Sequence, residues 1–245
     1  MVKTLELINV LNKFAPLDTA QHWDNSGWQI DLAASEVNKV MLSLNISAEV
    51  VSQAIESGCD FILSHHPLFF DPIKKINSAA IIDAIKNNIQ IYSMHTNLDV
   101  ATGGTTDTLV SKLNLGDAEK FDDFVRIVKL DKPMNVNELI KKIKGSLNLN
   151  ELKVVNDSKV SSIQKIALCA GSGGGLVKEL NSTDIDLYIT GDVKYHEVLE
   201  ASDLLVFDIG HYDSEKFVVE IFRNVISTLD VEIVVANEKN IWKTV

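Results

Sequence analysis

KVMLSLNISAEVVSQAIESGCDFILSHHP, Lys39 to Pro67, reads as one complete strand–helix–strand unit. Lys39 to Leu44 is an apolar run of strand length. Ser47 is a natural N-cap for a helix reaching Ser57, and Gly58 is its C-cap. Asp60 to Ser64 reads as a second strand, and a helix from Ser78 to Asn87 leads to a third strand from Ile89 to Met94. Strands joined by helices in this rhythm lie largely parallel, so the chain is an α/β protein whose ligands gather at the carboxyl ends of its strands. His65 and His66 stand at such an end, where Pro67 turns the chain.

The sequence holds six histidines, and His95 in MHTNLD, His196 in DVKYHE and His211 in IGHYDSE each have a carboxylate within four residues. Neutral imidazole with carboxylate is the ligand set of divalent first-row metals, so a metal site is expected. Neighbours on an extended strand face opposite ways. His65 and His66 therefore reach one cluster only through the turn at Pro67, or by serving two ions side by side.

In MHTNLDVATGG, Asn97, Asp99 and the paired glycines fit an ordinary turn. The functional reading makes Asp99 a carboxylate ligand, with His95 beside it as a supporting residue or proton carrier. IGHYDSEKF follows the strand LLVFD. A helix starting at Asp213 or Ser214 puts Glu215 in its first turn, where the helix dipole alone would favour it, and His211 just before it, so that both reach one ion. In GDVKYHEVLEAS, Asp192 is a natural N-cap, and His196 either lines the pocket or lies on the surface. CAGSGGGLV, from Cys169, either cradles an anion or makes a tight turn, and the turn is the better fit. The dinucleotide spacing GxGxxG fails there, because counting from Gly171 it requires glycine at Leu176.

At 245 residues and 46% hydrophobic, the chain has material for one large or two small cores. With 23 basic against 34 acidic residues its net charge is −11, which argues against a polyanionic partner, so no nucleic acid is expected. No stretch approaches a membrane span. Cys59 and Cys169 make no disulfide framework, and the charged amino-terminal residues are unlike a signal peptide, so a cytoplasmic location with reduced thiols is expected. An offset of 126 residues lays KVMLSLN on KIALCAG and DFILSHH on DLYITGD without a gap. An internal duplication would leave that pattern, although any two strand–helix–strand units share part of it. Two similar halves, 1–122 and 123–245, then meet in the acidic stretch Asp117 to Asp123 and could face each other across a cleft.

WDNSGWQI from Trp23, SHHPLFF from Ser64, HTNLDVATGG from His95, TGDVKYHE from Thr190 and DIGHYDSE from Asp208 resemble, in order, the signature segments of one family. It is the family of dinuclear metal-centre hexameric proteins named after NGG-interacting factor three, whose members also bear the name GTP cyclohydrolase I type 2 homologue. The resemblance implies two similar α/β halves with the metal site in the cleft between them. It implies two metal ions held by His65, His66 and Asp99 from the first half and by His211 and Glu215 from the second, with Asp99 or Glu215 bridging. It also implies a toroidal homohexamer whose sites face an internal cavity. Trp28 and Gln29 depart from the aliphatic residues usual after Gly27, a change that could alter what the pocket accepts, and Ile209 stands where alanine is common. Five ligands for two ions leave positions open for water, as catalysis requires. The expectation is therefore a metal-dependent hydrolase with His95 and His196 as proton carriers. Its name implies opening of the purine ring of GTP, and its partners would be further copies of the chain and a nucleotide or other small phosphorylated substrate. A non-catalytic metal-binding or metal-handling hexamer would use the same ligands. Iron, zinc, manganese and nickel all accept them.

Overall fold

A computed structural model describes residues 1–156 and 160–243. The chain divides into two compact units, Met1–Ala101 with Val218–Val245 and Thr102–Phe217. The first unit opens with β1 (Val2–Lys3), α1 (Thr4–Phe14), β2 (Gly27–Ile30) and β3 (Glu36–Val37). The expected strand–helix–strand unit follows as β4 (Lys39–Ser43), α2 (Ala48–Glu56) and β5 (Phe61–Ser64), then α3 (Ala79–Lys86), β6 (Gln90–Ser93) and α4 (Thr96–Val100). Ser47 caps α2 as its chemistry dictates, its hydroxyl accepting from Val50 N at 3.1 Å. Gly58 takes the left-handed conformation that ends the helix, at φ 68°.

The second unit contains α5 (Thr105–Leu113), β7 (Ala118–Lys120), β8 (Arg126–Asn135), α6 (Val136–Leu147), β9 (Lys153–Val155) and β10 (Ser162–Ser172). It continues through α7 (Val177–Leu180), β11 (Leu187–Gly191), α8 (Tyr195–Leu199), β12 (Leu205–Asp208) and α9 (His211–Glu215). The chain then returns to the first unit with α10 (Val218–Val225) and β13 (Glu232–Val235).

In the first unit the strand order is β13-β4-β5-β6-β2, with all neighbours parallel except β2 against β6. β5 and β6 are buried at every residue, which is why they read as unbroken apolar runs without alternation. Met41, Ile62 and Ile91 pack there against Val50, Val51 and Ala54 of α2. In the second unit the order is β7-β8-β10-β11-β12-β9, in which β10, β11 and β12 are parallel and β8 and β9 antiparallel.

The 126-residue offset carries paired strands onto paired strands in the same register. Val40 faces Phe61 and Ser43 faces Ser64, while Ile166 faces Leu187 and Cys169 faces Thr190. The likeness fades away from these parallel pairs, for β4 has parallel β13 at its other side where β10 has antiparallel β8.

The division differs from the expected one at 122/123. Leu109, Val110 and Leu113 of α5 pack in one core with Val128 of β8, Ile166 and Leu168 of β10 and Leu139 of α6, so α5 belongs to the second unit. β13 pairs with β4, so the carboxyl-terminal segment belongs to the first. The acidic stretch after Leu115 carries β7, which pairs with β8 inside the second unit. Among the described residues no helix is long and apolar enough to cross a membrane.

Candidate metal centre

Three histidines converge at the carboxyl ends of β5 and β6 in the first unit. The ladder between β4 and β5 runs on past the strand end, His65 N donating to Ser43 O and His66 N to Leu44 O. This fixes both backbones. His65 is fully buried, and its Nδ1 lies 2.8 Å from Met94 O. A carbonyl only accepts, so Nδ1 carries the proton and the lone pair sits on Nε2, 3.6 Å from Asp99 Oδ1.

His66 is set by a relay. Glu238 accepts from Leu44 N, Asn45 N and Asn45 Nδ2 at 2.6, 3.0 and 2.9 Å. With its amide nitrogen so used, Asn45 turns Oδ1 to His66 Nδ1 at 2.7 Å, which again leaves the lone pair on Nε2.

His95, the residue before α4, has Nδ1 2.7 Å from Asp24 Oδ1. Burial works to raise the Asp24 pKa, but hydrogen bonds from His95, Ser26 and Thr96 outweigh it and hold the carboxyl well below the usual carboxylate range. An ionised Asp24 accepts from Nδ1–H and orients the ring. His65, His66 and His95 each offer a ring nitrogen, the three within 4.8 Å of one another, and this group is able to hold a metal ion.

The second unit places His211 and Glu215 one helical turn apart on α9, with His211 Nε2 2.9 Å from Glu215 Oε2. The helix starts at His211, two or three residues earlier than expected, so Glu215 closes it where its first turn was foreseen. Asp192 is not an N-cap. Its backbone is left-handed, at φ 51°, and its carboxylate accepts from His211 Nδ1 at 2.7 Å, while Lys194 is the N-cap of α8. Burial lowers the His211 pKa, but the hydrogen bond and charge of Glu215, and then those of Asp192, raise it to about 9.

Two glycines make room for this pair. A Cβ on Gly171 would lie 2.1 Å from Glu215 Oε1, and one on Gly191 would lie 2.8 Å from both Cα and N of His211. The glycine-rich segment is a close-packed turn. Gly171 N donates to Ser214 Oγ and Gly173 N to Thr190 Oγ1, so these amides are already committed within the unit.

His196 is exposed on α8 and joins none of the metal-competent groups among the described residues. Trp28 and Gln29 are tied into the first unit. Trp28 packs edge-on against Phe61 and Tyr92, with ring centroids 5.9 and 5.3 Å away. Gln29 donates to Asn25 O and Gly27 O and accepts from Leu68 N. Both brace the first unit. Asp24, Asn45, Glu238 and Asp192, which set the histidine tautomers, are the site residues that motif reading missed or misassigned. Asp24, one residue after Trp23, and Asp192 both stand in signature segments, which was the available signal.

A family model described as Duf34/NIF3 (NGG1p interacting factor 3) matches residues 2–241. A Clostridium perfringens protein named GTP cyclohydrolase 1 type 2 homolog is 35% identical, with 97% of each chain covered. The Saccharomyces cerevisiae NGG1-interacting factor 3 is 28% identical over 94% of this chain and 93% of its own. Among solved structures, reduced HcgD from Methanocaldococcus jannaschii superposes with a TM-score of 0.85 at 29% identity, covering 97% of this chain and 98% of that one. A Bacillus cereus protein related to NIF3 shares the fold at a TM-score of 0.89, 21% identity and coverage of 100% and 99%. With the family model spanning nearly all of its length and the motif histidines gathered at the strand ends, this chain belongs to the Duf34/NIF3 family.

Proposed function

We propose that the chain is a metal-dependent hydrolase whose donors, His65, His66 and Asp99 from one unit and His211 and Glu215 from the other, together hold two divalent metal ions. The observation that carries this reading is the fixed tautomer of His65 and His66. Each has Nδ1 tied to an acceptor, so each presents the neutral Nε2 lone pair that a metal takes, on a backbone locked by the strand ladder. When bound, divalent ions supply Lewis acidity and let water act as a nucleophile near neutral pH.

The chain's own residues do the rest. Asp24 holds the His95 ring and stabilises the imidazolium formed when Nε2 takes a proton, the arrangement of a proton carrier. Glu238 and Asn45 keep His66 from changing tautomer. Asp192 accepts from His211 Nδ1, so Nε2 is the nitrogen that would give up its proton for a metal. The names of the bacterial relatives favour opening of a purine ring in GTP as the reaction. We take the working form to be a homohexamer, as the family resemblance implies, in the cytoplasm, as the two cysteines, not joined in a disulfide, and the amino-terminal residues suggest.

The test is metal-reconstituted protein assayed against GTP, with elemental analysis in parallel. About two metals per chain and turnover above the free-metal rate are expected. His95→Ala should keep the two metals assigned to His65, His66, Asp99, His211 and Glu215 and lose on the order of a hundredfold in turnover, the scale of general acid–base help; loss of a metal from that variant would instead make His95 a ligand beside His65 and His66. Metal binding with no turnover above that of free metal would instead make the chain a metal-handling protein. A value near one metal per chain would overturn the dinuclear reading.

A further inference from the structure

We propose that Trp23 and Phe70 form an aromatic platform beside His95 that binds the planar base of a nucleotide by stacking, with Lys74 and Lys75 serving its phosphate. The proposal names the substrate-holding part of the hydrolase described above and to that extent rests on it. Trp23 is 55% exposed and Phe70 50% exposed. Large aromatic rings left this open cost hydration, and an exposed apolar patch beside a polar cluster marks a surface that binds something. The two rings lie against each other, centroids 6.4 Å apart, and both reach His95, Trp23 edge-on at 6.1 Å and Phe70 at 5.5 Å.

The rings are also held in place. Asp24, next to Trp23, is fixed by His95, Ser26 and Thr96. Asn25 Nδ2 donates to Phe69 O at 2.7 Å, and Gln29 Oε1 accepts from Leu68 N at 3.0 Å, so two hydrogen bonds latch the segment after Trp23 to the segment before Phe70. The platform is thus pre-set on the residue assigned to carry protons. An indole and a phenyl face attract any flat π-system. The ligand class is narrowed by charge. In a chain of net charge −11, the loop that follows Phe70 presents two adjacent exposed cations, Lys74 and Lys75, suited to an anionic tail. A planar base carrying phosphate satisfies both features.

The experiment is isothermal titration of the full chain with GMP, AMP and ribose 5-phosphate, once stripped with EDTA and once reloaded with zinc. GMP and AMP should bind with similar affinity, because stacking does not read the base edge, and ribose 5-phosphate should bind much more weakly. Trp23→Ala should weaken GMP about tenfold to a hundredfold. Trp23→Phe should stay within about threefold, and Trp23→Leu, which keeps apolar bulk without a π-face, should behave like alanine. Zinc content should be unchanged in all three. Binding of ribose 5-phosphate as tight as that of GMP, or equal GMP affinity in wild type and Trp23→Leu, overturns the platform. So does a change of oligomeric state in Trp23→Leu with nucleotide affinity unaltered, which would make the patch a subunit contact. Failure of wild type to hold zinc defeats the hydrolase reading alone, since the stripped titrations still decide the role of Trp23.

Discussion

Glu238 shows how much of the site rests on residues that touch no ligand. Its two oxygens take three donors from Leu44 and Asn45, and through Asn45 they determine which nitrogen of His66 bears the proton. Glu238→Ala should therefore lower metal affinity by about tenfold to a hundredfold with every proposed ligand still present, as measured by competition with a chromophoric chelator. His211 supplies a second prediction. In the metal-free chain its folded pKa of about 9 lies above its ordinary 6.5, so the charged ring contributes stability that is fully present below 6.5 and is lost as the pH rises through 9. The Tm of the EDTA-treated protein should fall across that window. Glu215→Gln, which removes the carboxylate charge, should flatten the fall. The candidate ligands were legible in the sequence because imidazole and carboxylate declare their chemistry wherever they stand. Their holders were not, since Glu238 lies 193 residues from Asn45 and only the return of the carboxyl-terminal segment to β4 brings them together.

At the scale of elements, β10, β11 and α9 meet at glycines whose role is to be small. Gly191 ends β11 against the start of α9, and a Cβ there would meet His211 N and Cα and Gly210 C, all backbone atoms that no rotamer change can clear. Gly191→Ala should cost about 1–3 kcal/mol in urea unfolding, as overpacking does, and should shift α9 enough to weaken metal binding. Gly171 differs, since its neighbour is the end of the Glu215 side chain, but its φ of 68° adds backbone strain to any larger residue. The elements themselves were largely legible. Ser47 capped α2 as predicted, and the apolar runs became the buried parallel strands, because capping and burial act over a few neighbouring residues. The glycine-rich segment after Cys169 resisted reading because glycine serves phosphate binding, turns and close approach alike. Only the atoms facing the missing Cβ distinguish these uses.

For the whole molecule, the path of the chain matters more than its midpoint. An acidic stretch between two similar motif sets suggested a cut near 122/123, but composition marks solvent exposure and not the edge of a core, and the core of the second unit begins with α5. Residues 102–217 should therefore fold alone, with a single cooperative urea transition, because α5, α6 and the sheet around β10 bury one another within that span. A fragment of residues 123–245 should not. It lacks Leu109, Val110 and Leu113, three apolar side chains of one core, and each large-to-small loss in such a core costs about 2–5 kcal/mol against a total stability of about 5–15 kcal/mol. It also carries β13, a strand whose partner β4 it does not contain. Circular dichroism and urea titration of the two fragments decide the matter. A cooperative transition in 123–245 together with none in 102–217 would mean that the boundary lies in the acidic stretch after all. The expected order places both ends of the chain in one unit, so that the whole second unit is an insertion between α4 and α10.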